Sequence, residues 1–241
     1  MTRVLISGMG GRLATSIVAA IESTDDLSVS GGYNPHDPEL SDPSVPADVV
    51  LEVTRPDVVI DNLTRWHSRG LPCVVGTSGF SSDRVEEVRG FWGEDDPGCL
   101  IVPNFSVGAV LMMQFAESAA PWFGDVEIVE RHHADKPDAP SGTSLATAER
   151  IADRGGASAD AGDFPARGLA HRGISIHSMR HAGVVAEQEV LFSSKGETLR
   201  IVHVSGDYRS FHHGALLALR AVSEMAGVHV GLDVLLQHPE T

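Results

Sequence analysis

Within fifteen residues, from Glu130 to Ser144, the chain reads ERHHADKPDAPSGTS. Two adjacent imidazoles, His132 and His133, stand just before an ammonium, Lys136, and a Ser141-Gly142-Thr143 run closes the stretch. Histidine gains and loses its proton near neutral pH, so it is the natural donor in a reaction that ends with a protonation. A lysine beside it stabilises negative charge developing on the reacting molecule. It also opposes protonation of an imidazole lying close to it, because like charges disfavour one another. The division of labour between His132 and Lys136 therefore stays open from residue types alone.

Ser141-Gly142-Thr143 precedes LATAERIA, a helix-forming run. A Ser or Thr at a helix start satisfies orphan backbone N–H groups, and Gly bares the backbone. An anion gains hydrogen bonds and a favourable dipole there, so a carboxylate fits. Pro137 and Pro140 stiffen the approach and limit the entropy lost on binding. Taken singly, each feature has a plainer reading: a cap without a ligand, a solvated lysine, or half a metal site with His212-His213 as its complement. A metal site needs further ligands at suitable geometry, and no metal is expected. Arg180 and Arg209 are candidates for a second carboxylate or for cofactor contacts. Met112-Met113 reads as core.

A second group of residues lies at the start of the chain. The apolar run RVLIS (3–7) is followed by Gly8-Met9-Gly10-Gly11, after which Leu13, Ile17, Val18 and Ile21 recur at helical spacing. Gly8-x-x-Gly11-x-x-Ala14 thus sits between strand and helix, the context a dinucleotide-binding turn requires. The first glycine permits the tight turn, the next admits the pyrophosphate, and the helix start supplies N–H groups. Arg12 adds a full positive charge. An acidic residue is expected at the end of the second strand to bind the adenosine ribose; LSVSGGY (27–33) ends instead at Asn34. Asn can bond a hydroxyl without repelling a 2′-phosphate, so either NADH or NADPH is admitted. Gly76-Thr77-Ser78 and Pro103-Asn104-Phe105 end two more apolar runs, where exposed backbone can hold a carboxamide.

The elements that must position these groups follow from the pattern. Strand-like runs at 48–53, 71–80 and 99–105 alternate with helical stretches from 57 and from 81, which implies a parallel sheet with helices on both faces. VGAVLMMQFAESAAPWF (107–123) is a long apolar helix. Beyond it VEIVERH, ISIHSMR, VVAEQEVLFS and ETLRIVHVS alternate as strands of an open antiparallel or mixed sheet, interrupted by a helix at roughly 143–154 and a Gly-rich loop at 155–168. A last helix, about 214–222, returns to the first domain. The fold class is α/β: a Rossmann domain of residues 1–105 and 212–241, and an α+β substrate and oligomerisation domain of residues 106–211.

The chain has 241 residues, 33 acidic against 18 basic, and a formal net charge of −15. That argues against general nucleic-acid binding, which wants basic patches. It leaves room for an anionic small molecule held by a local cation cluster. No apolar run is long enough to span a bilayer, and the N-terminus enters directly into a strand-like run without a signal segment, so a cytoplasmic protein is expected. Cys73 and Cys99 form no CxxC pair and read as buried small hydrophobes.

GMGGRL (8–13), GTSGF (76–80), VPNF (102–105) and above all ERHHADKPDAPSGTS resemble the dihydrodipicolinate reductase family, whose signature runs E-x-H-H-x-x-K-x-D-A-P-S-G-T. GISIHSMRHAGVVAEQEVLF, KGETLRIVH and YRSFHHGAL are also similar, so the resemblance covers essentially the whole chain. It implies reduction of 4-hydroxy-tetrahydrodipicolinate to tetrahydrodipicolinate by NADH or NADPH, in the diaminopimelate route to lysine. It further implies a homotetramer built through the sheet of the substrate domain. By position it makes His132 and Lys136 the catalytic donors, and His133, Gly142 and Thr143 substrate contacts, with Ser141 at the same helix start. Gly8, Met9, Gly10, Gly11, Arg12, Leu13, Gly76, Thr77, Ser78, Val102, Pro103, Asn104 and Phe105 become cofactor contacts. Two positions depart. Glu52-Val53-Thr54 stands where the family has Asp-Phe-Thr, which removes an aromatic ring from the nicotinamide's surroundings, and Asn34 replaces the usual charged discriminator. These departures motivate one other reading, a non-catalytic dinucleotide-binding regulatory protein, and a second stands beside it, a dehydrogenase of another small acid. Intact His132, Lys136 and Ser141-Gly142-Thr143 argue against the first.

Overall fold

Val4, Leu5 and Ile6 are wholly buried in the first strand, β1 (Thr2–Ser7). The same holds for every residue of β3 (Val49–Glu52), β4 (Cys73–Val75) and β5 (Cys99–Ile101). Strands covered on both faces read as continuous apolar runs, and their helical crossovers make them parallel. With β2 (Leu27–Tyr33) and β11 (Val228–Val230) they form one six-stranded sheet in the order β11-β5-β4-β3-β1-β2. Every pairing within it is parallel. The helices of this unit are α1 (Arg12–Glu22), α2 (Val59–Ser68), α3 (Ser82–Arg89) and α6 (His212–Ala221). One face of the sheet packs Val59, Leu63 and Trp66 of α2 and Val85 and Val88 of α3 into a core cluster, with Trp92 just beyond α3. The chain passes from β1 to β2 on one side and then to β3 on the other, so the crevice at the carboxyl ends of β1 and β3 is where the strand order reverses. Ligands of open α/β sheets bind at such a switch point.

The second unit holds a five-stranded mixed sheet in the order β10-β9-β6-β8-β7. Its strands are β6 (Asp125–His132), β7 (Leu169–His171), β8 (Ile174–Arg180), β9 (Ala186–Ser194) and β10 (Glu197–Ser205). β6 pairs parallel with β8 and antiparallel with β9. The helices are α4 (Val107–Ala119) and α5 (Gly142–Asp153). Ala116, Ala148 and Ile151 of the helices bury Val126, Ile128, Ile174, Ile176, Val190 and Phe192 of the sheet. Alternation along each strand sends the remaining side chains to the uncovered face. Met179, Val202 and Val204 are 46%, 50% and 60% exposed there, so that face carries apolar surface that the unit itself does not cover.

The structure is a computed structural model that describes residues 1–34, 37, 39–158 and 165–236. The two units are Met1–Val107 with Tyr208 onward, and Gly108–Asp207. The Gly-rich stretch expected as a loop at 155–168 falls partly outside the described residues, and 237–241 fall wholly outside. Two short strands, β7 and β11, carry no sequence signal of their own: with three residues each they are too short for a period to register. The second helix begins at Val59, two residues beyond the expected start, since Pro56 lies in the turn before it. Both cysteines are buried and free, on neighbouring strands at register-partner positions. No helix among the described residues is long and apolar enough to cross a membrane.

Candidate active site

In the first unit, the turn after β1 is built by backbone that only glycine adopts readily. Gly8 and Gly10 have φ of 97° and 96°, in the left-handed region that penalises a Cβ. A Cβ on Gly8 would also lie 2.7 Å from the Val53 carbonyl oxygen, so the end of β3 closes on this turn. Gly10 faces open space, which is where a ligand's backbone contacts would come. Gly11 is the N-cap residue of α1 and has no side chain to satisfy the first N–H groups, and no acidic residue stands in the first turn. The helix start is thus left electropositive for an anion, and Arg12 is exposed beside it. Met9 packs over Gly32 and Leu13 is half-buried.

The other strand ends lie along the same carboxyl edge. Gly76 has no room for a Cβ because the Phe105 ring occupies that space and Val53 Cγ1 would lie at 3.0 Å. Phe105 is therefore a buried support, and an aromatic ring does reach this edge although position 53 lacks one. Thr77 is buried with its hydroxyl lacking a hydrogen-bond partner, a polar group of the kind a bound amide satisfies. Ser78 and Pro103 are exposed, Val102 is buried, and Asn104 accepts from the Ser106 N–H at 2.8 Å. Asn34 follows β2 and its N–H donates to the Leu40 carbonyl at 2.8 Å. Sequence reasoning missed what lies beneath. Glu52 is wholly buried and accepts from the Thr54 N–H at 3.1 Å, from the Thr54 hydroxyl and from Trp66 Nε1–H at 3.0 Å. Burial pushes its carboxyl up, against those hydrogen bonds. The residues present fit a dinucleotide: a glycine cradle that a Cβ would fill, an uncapped helix start and an orphaned hydroxyl at a neighbouring strand end.

In the second unit, β6 carries Val126, Ile128, Glu130 and His132 on one face by strict alternation. The first two belong to the core, and the last two continue the same stripe beyond it. The sheet therefore delivers a buried carboxylate and an imidazole to the edge of its own core. The loop after β6 turns back through a Lys136 N–H to His133 carbonyl bond of 3.1 Å. Lys136 Nζ then meets both oxygens of Asp138, at 2.7 and 2.8 Å. His133 is half-buried beside it. Among the described residues no group of three or more His, Cys, Asp and Glu side chains is arranged to hold a metal ion.

The helix start is held by a chain of buried hydroxyls and an amide. Ser141 caps α5, accepting from the Ser144 N–H at 3.2 Å. Ser144 Oγ–H donates to Gln188 Oε1 at 2.7 Å, Gln188 Nε2–H donates to Thr147 Oγ1 at 2.7 Å, and Thr147 donates to the Thr143 carbonyl at 2.7 Å. Ser144 has one hydroxyl proton and gives it to Gln188, so in the 2.8 Å contact between the two serines Ser141 is the donor. Gln188 lies on β9 directly across from Glu130, so the helix start and the His132 stripe share one face of one sheet. Gly142 and Thr143 at that start have open or half-open surroundings, with nothing within 4 Å of a Cβ on Gly142.

Arg180, a candidate carboxylate binder by sequence, is committed elsewhere. Its NH1 and NH2 reach the two oxygens of Glu130 at 2.9 and 2.8 Å, and NH2 also donates to the Asp138 carbonyl at 2.6 Å. Glu130 accepts from His132 Nδ1 as well. Burial alone would raise the Glu130 carboxyl, but the hydrogen bonds from His132, Arg180 and Ser178 outweigh it and hold it at about 2. Arg209 lies exposed in the first unit, in a 3₁₀ turn at Tyr208–Phe211. The sequence did contain a signal for Glu130: two residues before His132 on a strand means the same face.

Residues 2–105 match the family model described as Dihydrodipicolinate reductase, N-terminus, and residues 108–236 the one described as Dihydrodipicolinate reductase, C-terminus. The 4-hydroxy-tetrahydrodipicolinate reductase of Mycolicibacterium smegmatis is 45% identical, over 97% of this chain and 98% of that one. The enzyme of the same name from Mycobacterium sp. (strain JLS) is 44% identical with the same coverage. Among solved structures, dipicolinate-bound dihydrodipicolinate reductase from Paenisporosarcina sp. TG-14 superposes with a TM-score of 0.82 at 29% identity. That match covers 97% of this chain and 99% of the other.

Proposed function

The chain belongs to the dihydrodipicolinate reductase family, and from that premise we propose how its residues divide the reduction of 4-hydroxy-tetrahydrodipicolinate to tetrahydrodipicolinate. The enzyme is an oxidoreductase of the diaminopimelate route to lysine and uses a pyridine nucleotide, which supplies the hydride when bound. Residues Gly8 to Leu13, Asn34, Gly76 to Ser78 and Val102 to Phe105 hold that cofactor, with the pyrophosphate at the uncapped start of α1. NADH and NADPH both serve, since Asn34 bears no charge to repel a 2′-phosphate and Arg12 adds a cation near the turn.

His132 delivers the proton that completes the reduction, and Lys136 stabilises the charge that precedes it. Ser141, Gly142 and Thr143 receive one carboxylate of the ring at the start of α5, and His133 contacts the same ligand. The observation that carries this reading is the shared face. An ionised Glu130, an imidazole on it and a capped, hydroxyl-braced helix start all lie at one end of one sheet. The bound dipicolinate of the Paenisporosarcina relative is a dicarboxylate of the right class to occupy it.

The test is oxidation of NADH and NADPH with substrate generated in situ by a coupled synthase. His132→Ala and Lys136→Ala are each expected to lower kcat by about a hundredfold or more while folding is retained. Ordinary turnover in either variant refutes the role given to it. We further propose a homotetramer joined through the uncovered face of the second sheet, supported by the exposed Met179, Val202 and Val204, and a cytoplasmic site of action, in keeping with two free thiols.

A further inference from the structure

We propose that Glu130 and Arg180 are positioning residues for His132: Glu130 fixes the ring so that Nδ1 carries a permanent proton and Nε2 is the nitrogen that exchanges one, and Arg180 fixes Glu130. This rests on the reading of His132 as the proton donor and adds the two groups that make it one.

The geometry leaves little choice of hydrogen-bond direction. Glu130 is wholly buried, and both its oxygens accept from the Arg180 guanidinium in a bidentate pair. A carboxylate so held is ionised and is an acceptor only. The His132 nitrogen that meets it, Nδ1, must therefore be the donor in every protonation state of the ring. That leaves Nε2 as a lone pair in the neutral ring and as N–H in the imidazolium, so Nε2 is the atom that gives a proton to a ligand.

Arg180 has a second consequence. Its NH2 bonds the Asp138 carbonyl, and Asp138 is the partner of Lys136. One guanidinium thus ties the histidine's carboxylate to the loop that carries the lysine. The charged and titratable groups around the dyad come from each neighbouring element. β8 contributes Arg180 across from His132, with Ser178 across from Glu130. β9 contributes uncharged Gln188 and Ala186, and β10 contributes His203, the partner of Gln188, whose pKa burial lowers. The loop contributes His133 and the Lys136–Asp138 pair, and His181 donates its backbone N–H to the His132 carbonyl at 3.2 Å.

The test has two arms. In the first, protein labelled with 15N-histidine is observed by long-range proton–nitrogen correlation without substrate, and the His132 signals are identified by their loss in His132→Gln. The neutral ring of His132 is expected as the Nδ1–H tautomer; an Nε2–H tautomer overturns the proposal. In the second, Glu130→Gln keeps a carbonyl acceptor for Nδ1 but removes the charge. The amide can donate as well as accept, so the neutral His132 ring of this variant is expected to lose its exclusive Nδ1–H tautomer, and its kcat to fall at least about tenfold. Parental kcat in this variant overturns the proposal, and the tautomer readout stands even if the variant is less stable, since lost stability alone does not select a tautomer. The tautomer arm needs no turnover. An active His132→Ala removes the catalytic reading, whereas an Nε2–H tautomer removes the positioning by Glu130.

Discussion

Replacing Gln188 with Leu breaks the chain of hydrogen bonds at its middle while keeping the side chain's bulk. Ser144 Oγ–H then loses its acceptor at 2.7 Å, and Thr147 Oγ1 loses its donor at 2.7 Å. Both hydroxyl residues are buried, so neither finds water in exchange. A buried polar group left without its partner costs about 1–3 kcal/mol. Thr147 keeps its bond to the Thr143 carbonyl and Ser144 its contact with Ser141, so the two hydroxyls stay partly satisfied and the net destabilisation is about 1–3 kcal/mol. At roughly 2–4 °C per kcal/mol for a chain of this size, Tm falls by roughly 2–12 °C. The loss should also reach function selectively. The chain stitches the first turn of α5 at Ser141 and Thr143, so KM for the dicarboxylate substrate rises while the Kd for NADH or NADPH stays the same. Differential scanning calorimetry and steady-state kinetics measure the two effects. A Tm within about 1 °C of the parent, or a weakening of cofactor and substrate binding by equal factors, refutes the reasoning.

Three other outcomes follow from the geometry. Gly8→Ala sets a Cβ 2.7 Å from the Val53 carbonyl at a φ of 97°, strain of about 1–3 kcal/mol; fluorescence titration should find NADH binding weakened at least about tenfold, and unchanged binding counts against this turn as the cofactor cradle. Glu130 has its folded carboxyl lowered from 4.5 to about 2. Its contribution to stability is therefore complete above 4.5 and is lost as pH falls toward about 2, so Tm in that window should drop more steeply for the parent than for Glu130→Gln. Parallel Tm curves exclude the contribution. Val202→Glu puts a charge on the uncovered sheet face, and analytical ultracentrifugation should find smaller species than the parent forms; an identical distribution excludes that face as the assembly surface.

Local pattern determined much of this protein. The glycine turn, the fully apolar parallel strands and the alternating strands of the second sheet are legible because burial on one face or two leaves a period in the sequence. The ERHHADKPDAPSGTS stretch is legible because proton donor, cation and cap lie within one segment, and Ser141 does cap α5 as its type and place require. Tertiary structure alone decided which groups serve others. Arg180 is 50 residues from Glu130 and Gln188 is 44 from Ser144; strand pairing brings them together, and no local spacing encodes a contact of that range. Position 53 makes the same point. Its valine reads as the loss of a ring, yet the fold brings Phe105 against Gly76, where Val53 also packs. Residue types state what a side chain can donate or accept. Only the sheet register decides whether its partner is a ligand or, as for the Arg180 guanidinium, a buried carboxylate of the same chain.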